Sequence, residues 1–280
     1  MTGRPRSRSA FRMFWGGIYF SWRRRLSDWL SDTRFALKKP QGELGHLIFQ
    51  HNTPLYRRLR SVDMWLQHNK VANLKIAAEN INGVILRPGE TFSFWRAVGR
   101  PRAKRGYQRA MVLHNGTIKA QTGGGLCQLS NLIYWMTLHT PLTVTERWRH
   151  THDVFPDSDR TQPFGSGATV SYNYIDLRIK NDTGQSYQLA VWVGDTHLHG
   201  EWRSDRACSL RYRVYESEHC IAHQLWGGYL RHNVLRRRVY CEDRLISDQP
   251  VAENNAVMMY QPMLAGAGTC YNDGKKGVVK

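Results

Sequence analysis

The chain has 280 residues and carries 40 Lys or Arg against 22 Asp or Glu, a formal charge of +18 and a pI of about 10.0. No apolar run is long enough to predict a spanning helix, and 24 Gly with 10 Pro fits neither a collagen-like nor a low-complexity chain. So large a positive surplus favours an acidic partner: nucleic acid, an anionic membrane surface or an acidic polymer.

The charge is uneven. Residues 1–60 hold 13 Lys or Arg against three acids, which is ten of the eighteen surplus charges. The first eight residues, rich in Arg and Ser, read as an arm. From Phe11 onward the helical period takes over, with Phe11, Trp15, Ile18, Trp22, Leu26 and Trp29 at three- and four-residue steps and Arg23, Arg24 and Arg25 beside the stripe. A signal peptide does not fit, because the patch is short, aromatic and broken by Arg12, Gly16 and Gly17, with no small-residue cleavage site. The stripe suits docking on the protein's own core or, as a basic aromatic amphipathic helix, contact with the inner membrane surface. Nucleic acid is not favoured, since the sequence has no helix-turn-helix spacing, Cys/His finger or RNA-binding aromatic motif.

A loop is expected near 40–53. Helical spacing predicts a helix over 70–82, with Val71, Leu74, Ala77, Ala78 and Ile81 buried and Gly83 ending it. Residues 84–86 and 91–95 read as extended chain about a Pro88-Gly89 turn. Residues 111–113 and 117–119 form a predicted hairpin, because Asn115-Gly116 supplies the positive φ angles of a tight turn. After Gly123, Gly124 and Gly125 comes a predicted helix over 126–138, with Leu129, Leu132, Ile133 and Met136 on its buried face. Short strands follow at 142–146, 168–171, 176–180, 187–193 and 198–202, with a turn at 181–184. Basic strand-like pieces occupy 210–215, 228–240 and 256–260, and the tail from 266 to 280 is expected to fray. The fold class is α+β: an N-terminal helical region, a mixed core of antiparallel strands with a glycine-rich loop leading into a central helix, and a small β-rich C-terminal appendage. The corresponding division is 1–60, 61–204, 205–265 and 266–280.

The densest cluster of unusual residues is Gly123, Gly124, Gly125, Leu126, Cys127, Gln128, Leu129 and Ser130. Cys127 falls in the first turn of the predicted helix, where free N–H groups and the helix dipole favour a thiolate. A nucleophile there needs a base and an orienting group. His150 and Asp176 follow in the order used by transglutaminase-like thiol enzymes. The other reading makes Cys127 a small buried residue and the glycines packing devices. His150-Thr151-His152 places two rings on one side of a strand, but with no further tight ligand pair no metal is assigned. No cofactor is assigned either: the glycines lack the following Lys-Ser/Thr of a phosphate loop. Five widely spaced cysteines, with no C-x-x-C, suggest reduced thiols in the cytoplasm, although four of them lie after residue 200 and leave room for disulfides if the protein is exported.

Several motifs in one order resemble the VanW family: Pro88-Gly89-Glu90-Thr91-Phe92-Ser93-Phe94-Trp95, the Asn115-Gly116 hairpin, the segment 123–130, Glu146-Arg147-x-x-His150, Ala168-Thr169-Val170, Asp176-Leu177-Arg178 and Asn181-Asp182-Thr183. The resemblance spans residues 70–203. It implies a bacterial protein associated with the cell envelope or glycopeptide resistance, and it brings no known reaction. Many members carry Glu-Arg-His-x-His; here Trp148 stands at the first His, His150 at the second, and His152 is additional. Two functions result. One is a Cys-dependent acyl-transfer or amide-hydrolysing enzyme on peptidoglycan peptides, with Cys127 as nucleophile, His150 as base and Asp176 as orienter. Gly123, Gly124, Gly125, Gln128, Ser130, Glu146 and Arg147 would then bind substrate. The other is a non-catalytic protein that binds an envelope component or partner. In both, the expected partner is a peptidoglycan precursor or another acidic envelope component, with peripheral contact to anionic membrane through residues 11–30. The expected location is the cytoplasm, at the inner face of the membrane.

Overall fold

The structure is a computed structural model that describes residues 9–36, 42–56, 63–114, 116–154, 162–262 and 270–272. Its elements in chain order are α1 (Ala10–Leu30), β1 (His46–Pro54), α2 (Met64–Ile81), β2 (Val84–Leu86), β3 (Thr91–Ser93), α3 (Phe94–Val98), β4 (Arg109–His114), β5 (Thr117–Thr122), α4 (Cys127–Thr137), β6 (Thr143–Glu146), β7 (His152–Asp153), β8 (Arg178–Lys180), β9 (Tyr187–Val193), β10 (His197–Ser204), β11 (Leu210–His223), β12 (Tyr229–Cys241), β13 (Arg244–Met258) and β14 (Cys270–Asn272). The architecture is α+β, with the helices toward the N-terminal side and the chain after residue 205 built of strands.

The central sheet has the order β1-β10-β9-β2, with every neighbour antiparallel. Helices α2 and α4 cover it. Leu74, Ala77 and Ile81 of α2 and Leu129, Leu132, Ile133 and Met136 of α4 are fully buried against Leu189, Leu198 and Trp202. Trp202 is the largest of these, and its indole N–H donates to Thr137 Oγ1 at 3.1 Å, so its one polar atom is satisfied inside the core. A small sheet, β3-β8-β6, lies beside this core, and the β4–β5 hairpin leads into α4. The C-terminal sheet has the order β14-β11-β12-β13-β7 and is antiparallel except where β7 runs parallel to β13.

Several expectations change. Residues 46–54 form an edge strand instead of a loop, because β10 supplies the hydrogen-bonding partners from about 150 residues downstream; residues 40 and 41 of the expected loop lie outside the described set. The extended reading of 91–95 stops at Ser93, whose hydroxyl accepts from Arg96 N at 3.3 Å and caps α3. Residues 168–171 make only isolated bridges, Trp148 with Thr169 and Ser171 with Ile175. Within the tail expected to fray, Cys270–Asn272 pairs with β11 and sets Cys270 opposite Cys220. Cys220 is disulfide-bonded, so the expectation of reduced thiols fails there, while Cys127, Cys208 and Cys241 are free. The arm at residues 1–8 lies outside the described residues.

Helix α1 also departs from the docking expectation. It touches the core through one narrow face: Gly17 and Phe20 lie against Tyr174, and Arg24 and Asp28 make ion pairs. The aromatic stripe points elsewhere, and Phe11, Trp15, Trp22, Leu26 and Trp29 are 53% to 79% exposed.

Candidate functional site

The glycine loop is built by close approach. Gly123 and Gly125 have φ of +76° and +88°, a region that side chains rarely enter. A Cβ on Gly124 would lie 2.2 Å from the Ala110 carbonyl oxygen, and one on Gly125 2.1 Å from Lys70 Cγ. The Asn73 amide then ties the loop to α2, donating to Gly124 O at 2.9 Å and Gln108 O at 3.0 Å while its oxygen accepts from Gln108 N at 2.8 Å. The loop delivers Cys127 to the first turn of α4. There the thiol is directed at the Val170 carbonyl, 3.8 Å away. Burial pushes the Cys127 thiol above its ordinary pKa, opposing the thiolate that a helix start favours. Gln128 donates to Thr53 Oγ1 at 3.0 Å and Pro54 O at 2.9 Å, joining α4 to β1. Ser130 donates to Ala168 O at 2.6 Å.

The segment after β6 fastens the core to the C-terminal sheet. Arg147 donates to Gly167 O at 2.9 Å, to Gly165 O, and to Asn254 Oδ1 at 3.0 Å, and its guanidinium lies 4.9 Å over the Tyr134 ring. Arg149 donates to Asn255 O. His150 is half-buried; burial first, and the neighbouring His152 second, hold its ring below the ordinary histidine pKa, so it is neutral near pH 7. His152 packs at the hairpin tip beside Gly116 and Met259, with Nδ1 2.9 Å from Thr151 Oγ1. Among the described residues, no hydrogen bond joins Cys127, His150 and Asp176, and no group of three or more His, Cys, Asp or Glu is placed to hold a metal ion.

Asp176 faces another cluster. Its carboxylate is 2% exposed and accepts from Ser93 Oγ at 2.6 Å, Leu177 N at 3.0 Å, Trp95 N at 3.1 Å and Arg178 Nε at 3.3 Å. Burial nevertheless holds its pKa above the usual carboxylate range. Glu146 lies next to it. Both of its oxygens accept from the Arg24 guanidinium, and the same carboxylate accepts from Trp148 Nε1 at 3.0 Å and Asp176 N at 3.2 Å. Burial alone would raise the Glu146 pKa; the two Arg24 hydrogen bonds and the Arg24 charge outweigh it and hold the group below its usual range. Arg178 reaches Glu146 at 3.4 Å and forks onto Asp28 at 2.7 and 2.8 Å, while Arg96 lies 3.6 Å from Asp28. Three guanidinium groups thus face three carboxylates where α1 meets β6 and β8.

Beside this latch runs an open groove of about 460 Å³, lined by Asp32, Arg34, Thr91, Glu146, Arg178 and Lys180, among others. Of the residues singled out from sequence, Glu146 lines it; Arg147 is instead hydrogen-bonded to Gly167 O and Asn254, Asp176 to Ser93, and Cys127 lies against Val170. Sequence reasoning missed Arg24, Asp28 and Arg178. The available signal was Asp28 four residues after Arg24, an opposite-charge pair on one helical face within an otherwise basic segment.

A family model described as "VanW like protein" matches residues 69–203. The chain is 34% identical over 220 residues to the vancomycin B-type resistance protein VanW of Enterococcus faecalis, covering 79% of this chain and 80% of that protein. It is 32% identical over 113 residues to the uncharacterized protein YoaR of Bacillus subtilis, covering 40% of this chain and 36% of that one. No solved structure matches.

Proposed function

Since the chain belongs to the VanW family, we propose that it serves the cell envelope in a glycopeptide-resistance setting and does so by binding an acidic envelope component, most simply a peptidoglycan-precursor peptide. The observation that carries this reading is the groove. Arg34, Arg178 and Lys180 outnumber Asp32 and Glu146 along it, and Arg178 is already shared with Asp28 and Glu146. Arg34 is left to meet a carboxylate, the exposed Lys180 can join it by exchanging its surface partner Asp182, 2.5 Å away, and Asp32 can meet an amine, which suits a peptide with more negative than positive charge. On this reading the protein works at the cytoplasmic face of the membrane. The free thiols of Cys127, Cys208 and Cys241 support that placement, the disulfide-bonded Cys220 being the exception.

The test is titration calorimetry of the full chain with a soluble stem peptide bearing free carboxylates. Arg34→Gln and Lys180→Gln should each weaken binding several-fold; unchanged affinity in both variants overturns the reading. The catalytic alternative gives Cys127 the nucleophile's role and His150 the base's, and requires the thiol to leave the Val170 carbonyl and lose its proton. Mass spectrometry of the same peptide after incubation separates the two, because a chemical change lost in Cys127→Ala would establish the enzyme.

A further inference from the structure

We propose that the exposed face of α1 lies flat on an anionic lipid surface. The argument starts from the helical wheel. At about 100° per residue, the latched residues Gly17, Phe20, Arg24 and Asp28 share one side of α1. Phe11, Trp15, Trp22, Leu26 and Trp29 fall on the opposite side, within an arc roughly 120° wide that Ile18 and Tyr19 complete. Arg25 borders this arc on one flank, and Arg12 and Arg23 border it on the other. All three arginines are exposed and have no acidic partner among the described residues.

The composition selects the occupant. Aromatic side chains present on the order of 200 Å² each, so even partly exposed they make a patch on the order of 600 Å², at or beyond the upper end for an ordinary monomer surface. Tryptophan and tyrosine flanked by arginine suit the headgroup boundary of a bilayer, where the ring enters the acyl edge and the guanidinium stays with lipid phosphate. A second copy of this chain is a poor match. It would bring a chain of +18 net charge against another, with Arg12, Arg23 and Arg25 facing their own kind and the acid of the helix, Asp28, turned inward to Arg178. Insertion across the bilayer is excluded for this helix, since no described helix is long and apolar enough to span a membrane. The remaining geometry is a helix parallel to the surface, its apolar arc down and its latched face up against the core.

The proposal extends the envelope reading above by naming the partner surface, and it can fail independently of peptide binding. The experiment is flotation of the full chain with vesicles of phosphatidylcholine and phosphatidylglycerol, compared with phosphatidylcholine alone, alongside tryptophan emission. The wild type should float with the anionic vesicles at low salt and shift its emission to the blue. Combined Arg12→Gln, Arg23→Gln and Arg25→Gln should lower partition to anionic vesicles by about a hundredfold, at about fivefold per charge, and leave the weak binding to neutral vesicles unchanged. Combined Trp15→Ala, Trp22→Ala and Trp29→Ala should abolish both. None of these substitutions touches the latch, and peptide affinity of the tryptophan variant without vesicles should equal that of the wild type, which keeps the two readings separate. Absence of flotation at low salt, or flotation undiminished in the tryptophan variant, overturns the proposal. So does a dimer seen by light scattering that the tryptophan variant dissociates while wild-type protein ignores the vesicles.

Discussion

Replacing Glu146 with Gln should release α1 from the core. The substitution removes a charge that meets both Arg24 nitrogens and lies 3.4 Å from Arg178, while leaving those two cations in place. Removing one partner of a fully buried pair costs about 3–5 kcal/mol. The Arg24 and Glu146 side chains are each 17% exposed, so water recovers part of that, and glutamine keeps one acceptor. A loss of about 2 kcal/mol in α1 docking is the resulting figure, or about thirtyfold in the local opening equilibrium. Native-state hydrogen exchange reads this directly, because α1 amides should exchange about thirtyfold faster while those of α4 keep their protection. A double-mutant cycle with Arg24→Gln then isolates the pair, with a coupling of about 1 kcal/mol or more expected. Unchanged exchange of α1 in Glu146→Gln, or additive effects within about 0.5 kcal/mol, would refute a latch centred on this ion pair.

Acid should act on the same latch. The folded-state pKa of Glu146 lies below its usual value, so its contribution is complete above that value and is lost as pH falls through the folded one. Asp176 has the opposite sign, being held above its usual value, so acidification relieves its burial penalty. Emission of Trp148, whose indole donates to Glu146, should therefore hold at neutral pH, change only as the pH is taken below the usual glutamate range in the wild type, and stay flat in Glu146→Gln; identical profiles would count against the assignment. Gly124→Ala should cost at least about 3 kcal/mol by urea denaturation, since the new methyl meets the Ala110 backbone, which cannot rotate away. A change under about 1 kcal/mol would mean that the loop is loosely packed. Alkylation of the non-reduced protein should modify Cys208 and Cys241 readily, Cys127 slowly, and Cys220 only after a reductant is added. Equal labelling of Cys220 and Cys241 would contradict the disulfide.

Local pattern made the local elements legible. The 187–193 strand was readable residue for residue, because β9 is a short apolar run bounded by turn residues. The 126–138 helix was readable to within one residue at each end, because its buried face repeats at helical spacing and three glycines precede it. What the sequence could not show depends on partners far along the chain. Segment 46–54 has no strong alternation and becomes a strand only because β10 pairs with it. Of the last three long strands, β12 was readable to within one residue at each end, while β11 and β13 were legible only over 210–215 and 256–258, because the ladders that extend them are set by pairing with β12. The stripe on α1 was legible as helical, but its direction was not, because direction is set by Arg24 reaching Glu146 across 122 residues.

The same long-range dependence reshapes the candidate site. Gly124 packs on the Ala110 backbone, Arg147 bonds to carbonyls of the 165–167 segment, and Asp176 gathers donors from β3, α3 and β8. These are the residue types that a mechanism would call for, here occupied in holding the loops together. Glu146 and Arg178 differ, because they hold α1 and also line the groove. Asp32 and Arg34, also in the groove, follow α1 directly. A change in how α1 is held therefore alters the charges of Glu146 and Arg178 on one wall and frees Asp32, while Arg34 stays tied to β3 through its carbonyl, which accepts from Thr91 N at 2.8 Å. A ligand that pairs with Arg178 competes for the same guanidinium that anchors Asp28. By reciprocity, a surface that fixes α1 should alter peptide affinity by the factor with which the peptide alters surface affinity. Measuring peptide affinity with and without anionic vesicles would give that factor, and Glu146→Gln should bring it close to one.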